Sequence, residues 1–320
     1  MPAASSIFVP TPDGRPAAFV HVDLDAWWAI RRCYGDAHAM PAAPDPVYAE
    51  GIPALAELFD HHRIAAGFFA VGMDAAQPAQ ARILKHLSER HEIASHSWSH
   101  DLALGARPEA TIRDEVRQSR EAITSAIGKP PMGFRAPGYT WSPRLMQVLA
   151  EEGYAYDSSL LPTPAGPALR LADAWIRGGW PKSHQYGPTW RAICPRAPHI
   201  WNNGSRSRHS LAELPVLVSW PWRMPLQAGM LMLRGITAFR RSLEELSRRG
   251  IPIVFLLHGI DAVDTQRHPP PLPGKRGQAL LQFPLAHKLK IIGEALEIIR
   301  TSHFPLRADV DIAQISSVRP

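Results

Sequence analysis

Hydrophobic positions along the chain follow two alternating periods. Short apolar, β-branched runs bounded by turn residues give way to stretches in which apolar residues recur every three or four positions, the order of β/α units around a parallel sheet. Residues 17–23 (AAFVHVD) predict a buried first strand. Ile52, Leu55, Leu58 and Phe59 share one helical face, which predicts a helix over 52–62 with Pro53 accommodated in its first turn. Strands are expected at 65–71 and 91–95, a helix at 79–90 after Pro78, and a long helix over 108–127 that opens on Pro108 and stops at Gly128. A short strand about Phe134, a helix over 143–152 ended by Gly153 and a strand at 154–156 continue the series.

The rhythm then breaks. Residues 160–225 hold ten prolines and the tryptophans Trp175, Trp180, Trp190 and Trp201, with little periodicity apart from a strand expected at 214–218. So long an irregular stretch inside a compact domain is usually functional. A helix around 229–249, a strongly apolar strand at 251–257, a proline-rich loop at 268–273, a helix at 285–301 and a last strand near 305–310 complete the reading. About seven β/α units and no internal repeat predict an α/β fold, a distorted TIM-like barrel. Residues 1–16 are expected to be an N-terminal extension, 17–320 one barrel domain, and 160–225 an insertion.

Composition narrows this picture. The chain has 320 residues, 45% of them hydrophobic and 20% charged, which excludes wholesale disorder. Cys33 and Cys194 are the two cysteines and read as reduced thiols, since no disulfide framework can be built from one pair. Residues 1–16 lack a basic cluster followed by an apolar stretch and so do not read as a signal peptide. No apolar run approaches the ~18 residues of a membrane span. A soluble, cytoplasmic protein is expected, with peripheral contact at the inner membrane face still open. The net charge of +6 is spread along the chain and does not point to nucleic acid.

In barrels of this type working residues sit at the C-terminal ends of strands. That rule selects Asp23 and Asp25 after the first strand, His96 and His100 after the third, Arg135 after the strand at Phe134, and His258 after 251–257. His96 and His100, in His-Ser-Trp-Ser-His, have a spacing that lets two imidazoles face one cation if the segment turns helically. Fifteen histidines supply roughly 0.7 such pairs by chance, so the spacing by itself also fits two surface histidines. One carboxylate of Asp23 and Asp25 would complete a facial set with open positions, and the other would be free to act as a base. A second Asp-x-Asp, Asp309 and Asp311, is expected to be a pair of solvated loop carboxylates. His258 reads either as a buried core histidine or as a general acid. Arg135 reads as a salt-bridge partner or as the residue that opens Ala-Pro-Gly-Tyr, a rigid turn able to aim backbone N–H groups at an oxyanion.

Four separated motifs, Val22-Asp23-Leu24-Asp25, His96-Ser-Trp-Ser-His100, Arg135-Ala-Pro-Gly-Tyr139 and Leu256-Leu257-His258, resemble in this order the polysaccharide deacetylase family, the NodB-homology or carbohydrate esterase family 4 group. The resemblance covers roughly residues 17–310. It implies a distorted (β/α)7 barrel that hydrolyses N-acyl groups of amino sugars with a divalent metal, zinc first and Co, Mn, Ni or Fe as alternatives. It further implies that Asp25, His96 and His100 bind the metal, that Asp23 is the general base held by Arg135, that the Tyr139 amide helps hold the oxyanion, and that His258 protonates the departing amine. Asp-Leu-Asp-Ala replaces the adjacent aspartates of many members and looks like the branch of intracellular deacetylases, peptidoglycan-deacetylase-like proteins, allantoinase-like hydrolases and the deformylase of lipid-linked aminoarabinose. No aspartate matches the one that usually supports the acid histidine; Glu213-Leu-Pro-Val and Trp220-Pro-Trp222 occupy that part of the chain.

The function expected is removal of an acetyl or formyl group from an amino sugar, with a lipid-linked or cell-envelope sugar precursor as the expected substrate. Trp98, Pro137, Trp220 and Trp222 are the expected substrate contacts, with Trp201 as a further aromatic; core packing is the competing role of these aromatics. An allantoinase-like hydrolase of a small cyclic amide and a non-catalytic carbohydrate-binding barrel are the alternatives.

Overall fold

The computed structural model describes residues 5–7, 9–177, 185–201, 211–269 and 283–317. Its strands are β1 (Ser5–Ser6), β2 (Ala17–Leu24), β3 (Gly67–Ala70), β4 (Glu92–Ser95), β5 (Gly133–Phe134), β6 (Tyr156–Asp157), β7 (His199–Trp201), β8 (Leu211–Glu213), β9 (Ile253–His258) and β10 (Phe304–Pro305). Seven of them, β9, β2, β3, β4, β5, β6 and β8, run parallel in that order as one curled sheet. Beyond β8 the chain swings toward β9, where the Leu217 N–H donates to the Val254 carbonyl at 3.0 Å. That contact joins the two ends of the run, and the sheet is the distorted (β/α)7 barrel expected from the alternating periods.

The strand period decides what each residue does. On β2, Ala18, Val20, Val22 and Leu24 pack outward against the helices. The alternate residues Ala17 and Phe19 fill the barrel floor with Phe69 and Val254. His21 and Asp23 continue that inward row toward the C-terminal end. With both faces covered, the strand reads as a nearly unbroken apolar run. The helix Ile52–His62 buries Ile52, Leu55 and Phe59, and the helix Glu109–Ile127 buries Ile112, Val116, Ile123 and Ile127. Each such side chain contributes roughly 1.5–3 kcal/mol. Gly128 ends the long helix at φ 83°, a left-handed conformation that favours glycine.

Several expectations are corrected. The helix expected over 229–249 is two, Ala228–Arg234 and Ile236–Arg248, because Gly235 turns the chain at φ 80° and ψ 160°. The strand expected at 214–218 lies earlier, at β8. The strand near 305–310 stops at Pro305, and the helix Ala308–Ser317 follows. Asp309 and Asp311 are therefore not loop carboxylates: Asp309 takes Nε and Nη2 of Arg307 at 2.7 and 2.9 Å, and Asp311 accepts the Arg307 N–H at 2.9 Å. The stretch 160–225 is not irregular throughout, since it carries the helix Gly166–Arg177 as well as β7 and β8. Residues 1–16 are more than an appendage: Ser5 and Ser6 pair antiparallel with Ile200 and His199, while Ile7 and Val9 join the barrel floor. Trp180 and all but the start of the proline-rich loop at 268–273 lie outside the described residues.

Candidate functional site

Asp23 and His258 are register partners on neighbouring strands, and His96 follows β4 directly, so three strand ends deliver the predicted residues to one mouth of the barrel. His96 and His100 do converge, but not on a helix. Ser97 and His100 adopt φ 64° and 59°, a left-handed turn that non-glycine residues enter at a cost of order 1–3 kcal/mol. Glu115 holds this turn from the long helix, accepting the N–H groups of Trp98 and Ser99 at 3.0 and 2.9 Å and the Ser99 hydroxyl at 2.6 Å.

The result is a compact donor set. Oδ1 of Asp25 lies 3.0 Å from Nε2 of His100 and 3.4 Å from Nε2 of His96. Ligand atoms of these three residues all fall within 4.8 Å of one another. Nδ1 of His96 donates to the Arg135 carbonyl at 2.9 Å, which turns Nε2 toward Asp25. Oδ1 of Asp25 is buried without an aligned hydrogen bond. Burial opposes the charge of Asp25, yet the His100 and His96 imidazoles override it and hold the carboxyl well below its usual range. Burial likewise opposes a charged His100, and Asp25 overrides it and lifts the imidazole well above its ordinary value. Two imidazoles and a carboxylate with an unsatisfied buried oxygen fit a divalent cation.

Asp23 stands beside this set, its Oδ2 4.0 Å from Nε2 of His96. Arg135 is fully buried and donates Nη1 to Asp23 Oδ1 at 2.7 Å. The same guanidinium gives Nε to the Ser158 carbonyl, Nη2 to the Ser158 hydroxyl and Nη2 to Nδ1 of His21, at 2.8, 2.7 and 2.8 Å, and stacks 4.3 Å from the Phe69 ring centre. Burial first, and then the Arg135 charge, push His21 well below its ordinary value, so it serves as a neutral acceptor. A buried charge with each of its three nitrogens hydrogen-bonded is fixed in place. His21 escaped sequence analysis, although its i, i+2 spacing from Asp23 on a strand is a usable signal.

At the end of β9, the His258 side chain accepts the Asp261 backbone N–H, while Asp261 Oδ2 accepts the His258 N–H at 2.8 Å. This reciprocal cap orients the imidazole. The Asp261 carboxylate is thus engaged by the His258 backbone N–H and not by its imidazole. Glu213 lies elsewhere: it is buried against Asp157 and accepts the Leu160 N–H at 3.1 Å, with burial and then the Asp157 charge raising its carboxyl well above the usual range. Asp157 in turn accepts the Ser159 hydroxyl at 2.7 Å, and Ser159 Oγ accepts the Ala136 N–H at 2.8 Å, which braces the loop after Arg135 from behind.

A cleft of about 250 Å³ opens over the donor set, with Asp23, Asp25, His96, His100 and His258 among its lining residues and Tyr34, Leu102, Tyr139, Tyr186 and Ile260 in its walls. Gln227 donates to the Tyr139 hydroxyl at 2.8 Å, and Arg191 donates to the Tyr139 carbonyl at 2.6 Å. The expected substrate contacts are not brought here. The Trp98 ring packs over Gly72, where a Cβ would come within 2.7 Å of it. Pro137 is buried behind Gly138 and Tyr139, which line the cleft in its place. Trp220 lies against Arg196 and Arg249, and Trp222 is exposed; neither lines the cleft. The Tyr139 N–H, expected at the oxyanion, donates to the Ala136 carbonyl at 3.2 Å.

Residues 43–156 match the polysaccharide deacetylase family model. That span includes His96, His100, Arg135 and Tyr139 and omits Asp23, Asp25 and His258. The chain is similar to the peptidoglycan deacetylase of Helicobacter pylori, 28% identical over 161 residues, or 49% of this chain and 54% of the relative. It is 29% identical to the chitooligosaccharide deacetylase of a Bradyrhizobium strain over 136 residues, 40% of this chain and 60% of that one. The matches thus span little more than half the length of these curated relatives. Among solved structures, a protein from Mycobacterium smegmatis assigned to the polysaccharide deacetylases superposes with a TM-score of 0.61 at 20% identity, covering 100% of this chain and 99% of that one. Puue allantoinase superposes with a TM-score of 0.58 at 16% identity over 95% and 91% of the two chains. These structural likenesses establish the shared fold.

Proposed function

Because the chain belongs to the polysaccharide deacetylase (NodB-homology) family, we propose that it is a metal-dependent hydrolase that removes an N-acyl group, acetyl or formyl, from an amino sugar. A lipid-linked or cell-envelope sugar precursor, met in the cytoplasm at the inner membrane face, is the substrate we favour. The observation that carries this reading is the convergence of Asp25, His96 and His100 beside an Asp23 pinned by the buried Arg135. A divalent ion held by those three residues, zinc foremost for two imidazoles and a carboxylate, supplies Lewis-acid polarisation of an acyl carbonyl and a lowered pKa for water.

The remaining work falls to the chain's own groups. Arg135 occupies Oδ1 of Asp23, so Oδ2 is the oxygen that takes the proton of the attacking water. The oxyanion competes with the Ala136 carbonyl for the Tyr139 N–H, whose 3.2 Å turn bond is long enough to yield. His258, which lines the cleft at the end of β9, donates a proton to the departing nitrogen in its protonated form, with its ring released from the Asp261 N–H.

A second reading, hydrolysis of a small cyclic amide, is favoured by the modest cleft of about 250 Å³. One experiment separates the two: metal analysis of the purified protein, followed by assay of acetate or formate release from N-acylated amino sugars and of allantoin hydrolysis. Release from the sugars, lost in Asp23→Asn with metal retained, supports the proposal. Allantoin turnover without sugar turnover replaces it with the second reading, and a chain that binds no metal favours a carbohydrate-binding barrel.

A further inference from the structure

Nine large hydrophobic side chains are exposed among the described residues, and six of them, Leu171, Trp175, Trp190, Ile193, Trp220 and Trp222, come from the single stretch 160–225. Trp222 and Ile193 are 78% and 76% exposed, so most of their apolar surface faces water. One hydrogen bond links the two segments. Arg223 donates Nη1 to the Cys194 carbonyl at 2.7 Å, which ties the residue after Trp222 to the residue after Ile193. A tight turn closed by Arg223 N–H to the Ser219 carbonyl, 3.1 Å, and Met224 N–H to Ser219 Oγ, 3.1 Å, presents Trp220 and Trp222 at its tip.

Arginines flank these tips. Arg196 and Arg249 stack on the Trp220 ring at 4.3 and 4.0 Å from its centre. Burial, with the neighbouring charges of Arg223 and Arg249, depresses Arg196 to about 10, a sign of crowded like charge. Glu245 is the carboxylate that answers this group, and it is already shared between Arg248 and Arg249. The patch is also built on the cleft wall. Arg191 grips the Tyr139 carbonyl and Gln227 grips the Tyr139 hydroxyl, so the segments that carry Ile193 and Trp222 hold the same loop that lines the site.

Exposed indole and aliphatic tips beside surplus guanidinium charge match the boundary layer of an anionic bilayer, where aromatic rings sit at headgroup depth and arginines meet phosphates. No helix among the described residues is long and apolar enough to cross a membrane, so contact here would be from one side. We infer that the rim formed by residues 189–196 and 219–224 docks the protein onto an anionic membrane surface, with the cleft mouth facing the headgroups. Docking itself is independent of the proposed hydrolysis; delivery of a lipid-carried amino sugar to the cleft rests on it.

The test is co-sedimentation of the full chain with phosphatidylcholine vesicles, with and without phosphatidylglycerol, at low and high salt. Binding to the anionic vesicles alone, weakened by salt and falling roughly tenfold for each of Ile193→Ser and Trp222→Ser, supports the inference. Both side chains are exposed, so these variants are expected to keep the parent's thermal transition. Equal binding to neutral vesicles, no binding at low salt, binding untouched by the two substitutions, or binding to heparin without binding to vesicles would each overturn it. A chain that binds vesicles but hydrolyses no sugar amide sinks the proposed function alone, and one that hydrolyses soluble substrates but ignores vesicles sinks the docking alone.

Discussion

Glu92 makes the stability of this barrel fall with rising pH. It points inward from β4 at the level of His21 on β2, accepts the Tyr156 hydroxyl at 2.7 Å and the Asp309 N–H at 3.2 Å, and is raised by burial, then by the Asp309 charge, from 4.5 to about 8. Below the unfolded value both states hold the proton and nothing is lost. Between about 4.5 and 8 the unfolded chain releases it while the folded chain keeps it, so the free energy of unfolding falls by about 1.4 kcal/mol per pH unit. Above that window both states are ionised and the loss levels off at about 5 kcal/mol. Glu92→Gln mimics the protonated acid, with one acceptor for Asp309 and one donor for Tyr156. Urea unfolding of both proteins at a series of pH values tests this. The variant should match the parent within about 1 kcal/mol near pH 5 and exceed it by several kcal/mol near pH 9. Parallel pH profiles, or a variant less stable than the parent at high pH, would refute the reasoning.

Three further outcomes are expected. Asp23→Asn keeps an oxygen for Arg135 and should lower kcat by roughly 10²–10⁴ with unchanged zinc content by elemental analysis; loss of the metal as well would make Asp23 a ligand instead of a base. Glu115→Ala frees the turn that carries His100 and should weaken zinc binding about 10–100-fold in a chelator competition, with a smaller rise in melting temperature on adding zinc than the parent shows; unchanged affinity would mean the turn holds itself. Glu213→Gln should leave stability near the parent at neutral pH, because Asp157 and Glu213 are both raised and their hydrogen bond needs one proton, whereas Glu213→Leu strands the Leu160 N–H and should cost about 1–3 kcal/mol in denaturant unfolding; equal losses in the two variants would exclude a shared proton.

The barrel was legible because its strands are buried on both faces and its helices on one, so two periods mark the units from Ala17 to Tyr156 and again from Ile251 to Ser302, while the stretch between them lacks that rhythm. The site was legible in part, because the rule that chemistry sits at strand ends selects Asp23, His96 and His258 before any coordinate is known. Gly235 lies inside a pattern that reads as one helix over 229–249, and only its φ of 80° and ψ of 160° show that the helix breaks there. The aromatic residues were the least legible: Trp98 and Trp222 are the same residue type with the same apparent purpose, yet one packs on Gly72 and the other stands in solvent.

By itself the sequence determined the order of elements and the residues competent for metal binding and proton transfer, since period and side-chain chemistry are local properties. The tertiary structure alone decided which of those residues meet. Arg135 reaches Asp23 across 112 positions of chain, and His96 and His100 share one carboxylate oxygen through a left-handed turn, not a helix. Partners of that kind are chosen by the curl of the sheet and by helices packed behind it, a balance of burial and strain summed over the whole chain that no segment carries within itself.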